Sequence, residues 1–284
     1  MTATEHEARA WLELILLPKI SLRARLAWLR EFGSPGAVLA QSAARLREVN
    51  KEGRSLQGLA DERSVADALN WIRSSGGKWA VLGDDLYPPA LVEHLAEPPL
   101  AVFMRGDSQL LDLPAIAIIG GPHPTRPAGD RARTFAYDLA GNGWLVAAGL
   151  SGGIGGLALH GALAAAGPLA VIGSSAAWRG IKLGEEVAGR GVVVSEYPPG
   201  ASSAAGGGYA LRHRLLACFA EACVFVEAER RCESLQLAAL AGDIGRDVMA
   251  VPADPANESG RGCNQLLGEG ARLVENSSDI LAAL

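Results

Sequence analysis

Apolar residues recur at helical spacing from the start of the chain. Ala10, Leu12, Leu14, Ile15 and Leu17 lead to Pro18, and Leu22, Leu26, Trp28 and Leu29 continue to Phe32-Gly33. Ser34-Pro35 opens a short helix through Leu39, and Leu59 to Ile72 carries one more amphipathic stripe before Gly76-Gly77. Such stripes at i, i+3, i+4 bury one helix face, so residues 1–55 are expected to form a helical module. The polar stretch Lys51 to Ser55 is its hinge. From Lys78 the period changes. Short apolar runs now alternate with helical patterns: Trp79–Leu82, Leu100–Met104, Ala115–Ile119, Trp144–Ala147, Leu169–Ile172, Val192–Val194, Val224–Val226, Val248–Val251 and Leu273-Val274. Strands separated by helices of this length imply right-handed crossovers and a mostly parallel, doubly wound sheet, covered on both faces. The expected domains are therefore 1–55, helical, and 56–284, Rossmann-like α/β. Ala201 to Gly208, all small residues, reads as a loop that cannot pack.

Glycine punctuates two of the strand-to-helix junctions. Ala148-Gly149-Leu150-Ser151-Gly152-Gly153-Ile154-Gly155-Gly156 follows the run ending at Ala147, and Ile119-Gly120-Gly121-Pro122 follows Ala115–Ile118. Turns of this kind bring backbone N–H groups and a helix N-terminus to an anion, at the carboxyl ends of parallel strands where open α/β sheets bind ligands. Neither glycine stretch contains a Lys, Arg, Asp, Glu or His, and the Lys-Ser/Thr of a P-loop is lacking.

Composition narrows the function classes. The 284 residues are 49% hydrophobic and 5% aromatic, with a formal charge of −5 and a pI near 5.6. That charge gives no global attraction for nucleic acid, so any such binding needs a local basic patch. Cys218, Cys223, Cys232 and Cys263 show no metal-ligand spacing, and Cys218 and Cys223 read as small core residues. Met1 to Arg9 is charged with no cleavage pattern, and no apolar run is long enough to span a bilayer. A cytoplasmic protein without membrane association, metal or cofactor is expected.

Tyr87-Pro88-Pro89-Ala90-Leu91 and Pro98-Pro99-Leu100-Ala101-Val102-Phe103-Met104-Arg105-Gly106 open a series of further motifs. Val193-Val194-Ser195-Glu196-Tyr197-Pro198-Pro199-Gly200, Arg212-His213-Arg214-Leu215-Leu216, Val226-Glu227-Ala228 with Arg231 and Ser234-Leu235 follow in order. Gly245-Arg246-Asp247-Val248-Met249-Ala250-Val251-Pro252 and Gly262-Cys263-Asn264-Gln265-Leu266-Leu267 complete the series. In content and order these motifs resemble those of the DprA/Smf family of DNA-processing proteins, the first two being similar to its entry segment. The departures fall on polar positions. Pro122 stands where the family's Val-Gly-Ser-Arg turn has arginine, and Gly152 and Gly155 stand at the arginine and aspartate of its second turn. Ser21 replaces the glycine of a helix-hairpin-helix turn, and Leu159 falls at an expected histidine, with His160 one place late. The family commonly continues into a small winged-helix domain, whereas this sequence stops at Leu284.

The resemblance implies a non-enzymatic protein that binds single-stranded DNA, protects it and delivers it to a RecA-type recombinase in transformation, working as a homodimer. Carried over residue by residue, the DNA-binding set is Gly120, Gly121, Gly149, Gly152 and Gly153 on the turns, with Tyr209, Arg212, His213, Arg214 and Arg231 beside them. Guanidinium forks match phosphate oxygens, so Arg212 and Arg214 lead this set, and Tyr209 is placed to stack on a base. Glu196 and Glu227 end strands on the same side and are expected to orient an arginine rather than to catalyse. The alternative is a relative that binds a nucleotide-derived ligand or only a protein partner.

Overall fold

The computed structural model describes residues 5–74, 76–173, 178, 181–200 and 208–284, with residue 74 and residues 208–211 described by backbone alone. The loop 201–207 expected from the small-residue run lies outside the described residues. The chain divides into two compact units, Met1–Phe103 with Glu196–Gly206, and Met104–Ser195 with Gly207–Leu284. The helical module lies within the first.

In the first unit, α1 (Glu5–Ile15), α2 (Leu22–Phe32), α3 (Pro35–Leu39), α4 (Ala43–Val49) and α5 (Glu62–Ser74) precede β1 (Lys78–Val81), α6 (Pro89–His94) and the start of β2 (Ala101–Gly106). Serine begins three of these helices: Ser21, Ser34 and Ser42 accept N–H groups of Ala24, Ala37 and Arg45. A hydroxyl in that position satisfies a donor the helix itself cannot, worth about 1 kcal/mol each. Leu12, Leu14, Trp28, Leu46, Val65 and Leu91 are buried, and Trp28 Nε1 donates to Leu46 O at 3.1 Å, so the indole packs without stranding its polar atom.

The second unit alternates strands and helices as the hydrophobic pattern requires. β3 (Ala115–Gly120), α7 (Arg126–Gly141), β4 (Leu145–Gly149), α8 (Gly153–Ala165), β5 (Leu169–Val171), α9 (Lys182–Arg190) and β6 (Val192–Ser195) form its first half. α10 (Gly208–Phe219), β7 (Ala220–Glu227), α11 (Gln236–Asp243), β8 (Asp247–Ala250), α12 (Arg261–Gly268), β9 (Arg272–Leu273) and α13 (Ser277–Leu281) complete it. Its strands pair in parallel in the order β6-β5-β4-β3-β7-β8-β9. The mostly parallel doubly wound sheet read from the sequence is therefore the observed one.

Buried on both faces, the central strands β3 and β4 carry unbroken apolar runs: Ile116, Ala117 and Val146, Ala147 are 0% exposed. Cys223 in β7 and Cys263 in α12 are also buried, and burial pushes each thiol up to about 12, which leaves them inert packing groups.

The strand order reverses at β3. The chain winds outward from β3 through β4, β5 and β6, then returns to lay β7 against the other side of β3. That reversal opens a crevice beyond the carboxyl ends of β3, β4 and β7, the position where open α/β sheets bind ligands.

Candidate nucleic-acid interface

A cleft of about 390 Å³ occupies that crevice. The turn after β3 contributes Gly120, Gly121, Pro122, His123 and Pro124, the turn after β4 contributes Ser151 and Gly152, and α10 contributes Arg212 and His213. The segment from Glu227 to Ser234 and Ser259 close the remaining side. The first turn is shaped by a register shift between Ile119 and Gly120, which brings Gly120 opposite Glu227. A bulge at a strand end re-aims the chain beyond it. Gly121 N–H donates to Glu227 O at 2.7 Å, and Gly121 O accepts Ile154 N–H at 3.2 Å, so the two glycine turns are hydrogen-bonded to each other.

Two glycines are required by close approaches at these turns. Gly153 has φ +73°, and a Cβ there would lie 2.3 Å from Gly121 O. At Gly149 a Cβ would lie 2.9 Å from Cζ and Nε of Arg212. The guanidinium therefore lies over the bare backbone at the end of β4, where any other residue would displace it.

Arg212 is half-buried and Arg231 exposed. Both line the cleft together with Glu227, Glu229 and Glu233. His213 is 2% exposed, and its imidazole is pushed down to about 4, first by burial and then by the Arg212 charge. It is neutral at physiological pH and brings no cation to a phosphate.

Glu227 is 6% exposed and does not orient an arginine. Its Oε2 accepts Thr125 N–H at 2.6 Å and its Oε1 accepts Thr125 Oγ1–H at 2.8 Å. The sequence expectation of an arginine partner is corrected here: a buried carboxylate takes donors within reach, and the N-terminus of α7 supplies them.

Of the residues expected to bind DNA, the structure gathers Gly120, Gly121, Gly152, Arg212, His213 and Arg231 on this cleft, with Gly149 beneath Arg212 and Gly153 against Gly121. Arg214, half-buried on α10, is not among the lining residues. The side chain of Tyr209 lies outside the described residues. Glu196 follows β6, belongs to the first unit and does not line the cleft. His160 is exposed on α8.

His123 and Ser259 line the cleft without having been singled out in the sequence, whereas Cys232 was named there as a cysteine without metal-ligand spacing and Ser234 as part of a family motif, neither as a cleft residue. The one signal for His123 is its place two residues after Gly121. The half-buried Cys232 accepts the Ser234 Oγ hydrogen bond at 3.0 Å.

Ser151 Oγ donates to Gly152 O at 3.2 Å rather than to a base, and Glu227 spends both carboxylate oxygens on Thr125. The arrangement suits holding a ligand: two joined backbone turns, a shaped cleft and two guanidiniums at its wall.

The fold and cleft together define a doubly wound α/β protein with an open cleft at the switch point of the sheet. The chain belongs to the DNA recombination-mediator protein A family, whose model matches residues 78–284. DNA processing protein DprA of Streptococcus pneumoniae is 30% identical over 204 residues, covering 70% of this chain and 71% of that protein. A putative DNA processing protein DprA of Mycobacterium tuberculosis is 30% identical over 272 residues, covering 88% of this chain and 65% of the relative. Protein Smf of Synechocystis is 28% identical over 211 residues, covering 71% and 52% respectively. The chain thus spans between about half and two thirds of the length of these last two relatives.

Among solved structures, the X-ray structure of the S. pneumoniae protein superposes with a TM-score of 0.79 at 22% identity over 99% of this chain and 98% of that one. DNA processing protein A from Helicobacter pylori, whose structure describes a single-stranded DNA binding mode, aligns with a TM-score of 0.63 at 26% identity over 72% of this chain and 95% of its own. Among the described residues, no helix is long and apolar enough to cross a membrane.

Proposed function

We propose that this chain binds single-stranded DNA in the cleft beyond β3, β4 and β7, without catalysis, and passes the strand to a RecA-type recombinase. The observation that carries the reading is the convergence of both glycine turns with Arg212 and Arg231 on one cleft. Family membership and the single-stranded DNA described for the H. pylori relative supply the ligand class. Guanidiniums form charge-assisted forks with phosphate, and glycine turns let a backbone approach closely, so the site reads the strand's backbone rather than its sequence. Action as a homodimer in the cytoplasm belongs to the same proposal and rests on the family resemblance.

Three carboxylates against two guanidiniums on the cleft wall favour a second reading, a nucleotide-derived ligand held by few charges. The two differ in length dependence. A strand binder gains affinity from mononucleotide to oligonucleotide, whereas a mononucleotide site does not.

Fluorescence anisotropy with labelled oligonucleotides across a salt series tests the proposal. Arg231→Ala and Arg212→Ala are each expected to weaken binding about ten-fold or more, since a hydrogen bond to a charged group is worth about 1.5–3 kcal/mol. Each lost phosphate contact lowers the slope of log K against log salt by about 0.7 for a single strand. Equal affinity for mononucleotide and oligonucleotide, or a salt slope unchanged in the double variant, overturns the strand-binding reading.

A further inference from the structure

Glu227 is a carboxylate on the wall of a cleft proposed to receive a polyanion. By charge alone it opposes the ligand, yet the structure buries it and gives every one of its acceptors a partner in the same turn. Its main-chain oxygen takes the Gly121 N–H at 2.7 Å, and its carboxylate takes the N–H and O–H of Thr125 at 2.6 and 2.8 Å. Thr125 is the N-cap of α7, and its Oγ1 accepts Ala128 N–H at 3.4 Å, which leaves its own proton to point at the carboxylate. The turn from Gly121 to Thr125 is therefore tied at both ends to one residue a hundred positions away in the chain. Between the ties stand Pro122 and Pro124, which restrict what the segment can do when a tie is lost. The constraint travels further. Gly121 O accepts Ile154 N–H at 3.2 Å, and Gly153 packs against Gly121 and Pro122, so the second turn is set on the first.

We infer that Glu227 is the positioning residue of the cleft: it fixes the first glycine turn, and through Gly121 the second, in the geometry that receives the strand. The inference deepens the single-strand-binding reading and rests on it for its ligand. It opposes the simple electrostatic expectation, in which Glu227 only repels phosphate.

The two views part on variants that keep the charge and lose the geometry. Glu227→Asp keeps the carboxylate and shortens its reach by one methylene, and Thr125→Val leaves Glu227 intact and removes the hydroxyl. Positioning predicts that each weakens oligonucleotide binding about ten-fold, and that the double variant loses less than the product of the two single effects, because both variants break the bond between the Thr125 hydroxyl and the Glu227 carboxylate. The salt slope stays that of the wild type, since no phosphate contact is deleted. Thr125→Ser, which keeps both donors, binds as the wild type does.

Amide hydrogen exchange reads the same coupling without a ligand. In Glu227→Asp and Thr125→Val, Gly121 and Ile154 exchange faster while the amides of α11 keep their protection. Binding unchanged or tightened in those two variants, or exchange at Gly121 and Ile154 as slow as in the wild type, overturns the inference. A wild-type protein that binds no oligonucleotide overturns the strand-binding reading instead, and the exchange result still decides the role of Glu227.

Discussion

Gly152 and Gly153 are neighbours in one turn under opposite constraints. Gly153 has φ +73° and a Cβ would strike the Gly121 carbonyl, whereas Gly152 has φ −65° and open space around it. Gly153→Ala is therefore expected to cost more than about 1–3 kcal/mol, the ordinary cost of a left-handed non-glycine residue, because a clash is added to it. Gly152→Arg introduces a cation where the related family turn has arginine. Its costs at a helix N-terminus, a poorer cap and an adverse dipole, amount to about 1 kcal/mol. The expected result is a folded variant that binds oligonucleotide about ten-fold more tightly. Parallel urea titrations and anisotropy check both; a Gly152→Arg protein that folds and binds no better contradicts the placement of phosphate at the second turn. The sequence marked both glycines as one motif. It could not separate them, because the difference arises from the carbonyl of Gly121, contributed by another strand. The pairing of Glu227 with Thr125 was illegible for the same reason: no periodicity links residues so far apart.

At the scale of elements, the hydrophobic runs located each strand to within a few residues, since a strand buried on both faces needs an unbroken apolar run. The direct passage of α10 into β7 at Phe219–Ala220 falls between Cys218 and Cys223, where the sequence places a helix-to-strand transition although no glycine, proline or polar cluster marks the change. The turn between α1 and α2 shows how a local substitution redirects a motif. Ser21 stands where a helix-hairpin-helix turn has glycine, and its N–H and Oγ–H both donate to Glu52, at 2.8 and 2.6 Å. Arg25 fills the same turn from inside, donating to Ile15 O, Leu17 O and Ile20 O. An internal carboxylate thus occupies both donors of Ser21.

The Ser21 hydrogen bonds hold Glu52 below its ordinary value of 4.5. Because the folded-state value is depressed, the stability it contributes is present above that ordinary value and is lost as pH falls through the folded one. Glu52→Gln should therefore lower the urea midpoint of the protein at neutral pH, and the gap from wild type should close in acid. A gap that is constant with pH, or absent at neutral pH, contradicts this latch.

Across the whole molecule, a net charge of −5 sits beside a nucleic-acid function only if binding is confined to a small site with its own cations. The family resemblance reached the site through residues scattered from Gly120 to Arg231, and the sheet order explains why they meet: the carboxyl ends of β3, β4 and β7 adjoin at the reversal. The central claim is that single-stranded DNA occupies this cleft, and Cys232 reports on it. It lines the cleft half-buried, while Cys218, Cys223 and Cys263 are buried. The rate at which a thiol reagent modifies Cys232, followed by mass spectrometry with and without oligonucleotide, is the direct measurement. Bound oligonucleotide should slow that modification several-fold at low salt, with the protection fading as salt rises and the strand dissociates. Oligonucleotide that binds while Cys232 reacts at its unprotected rate would place the DNA elsewhere on the molecule and contradict the account.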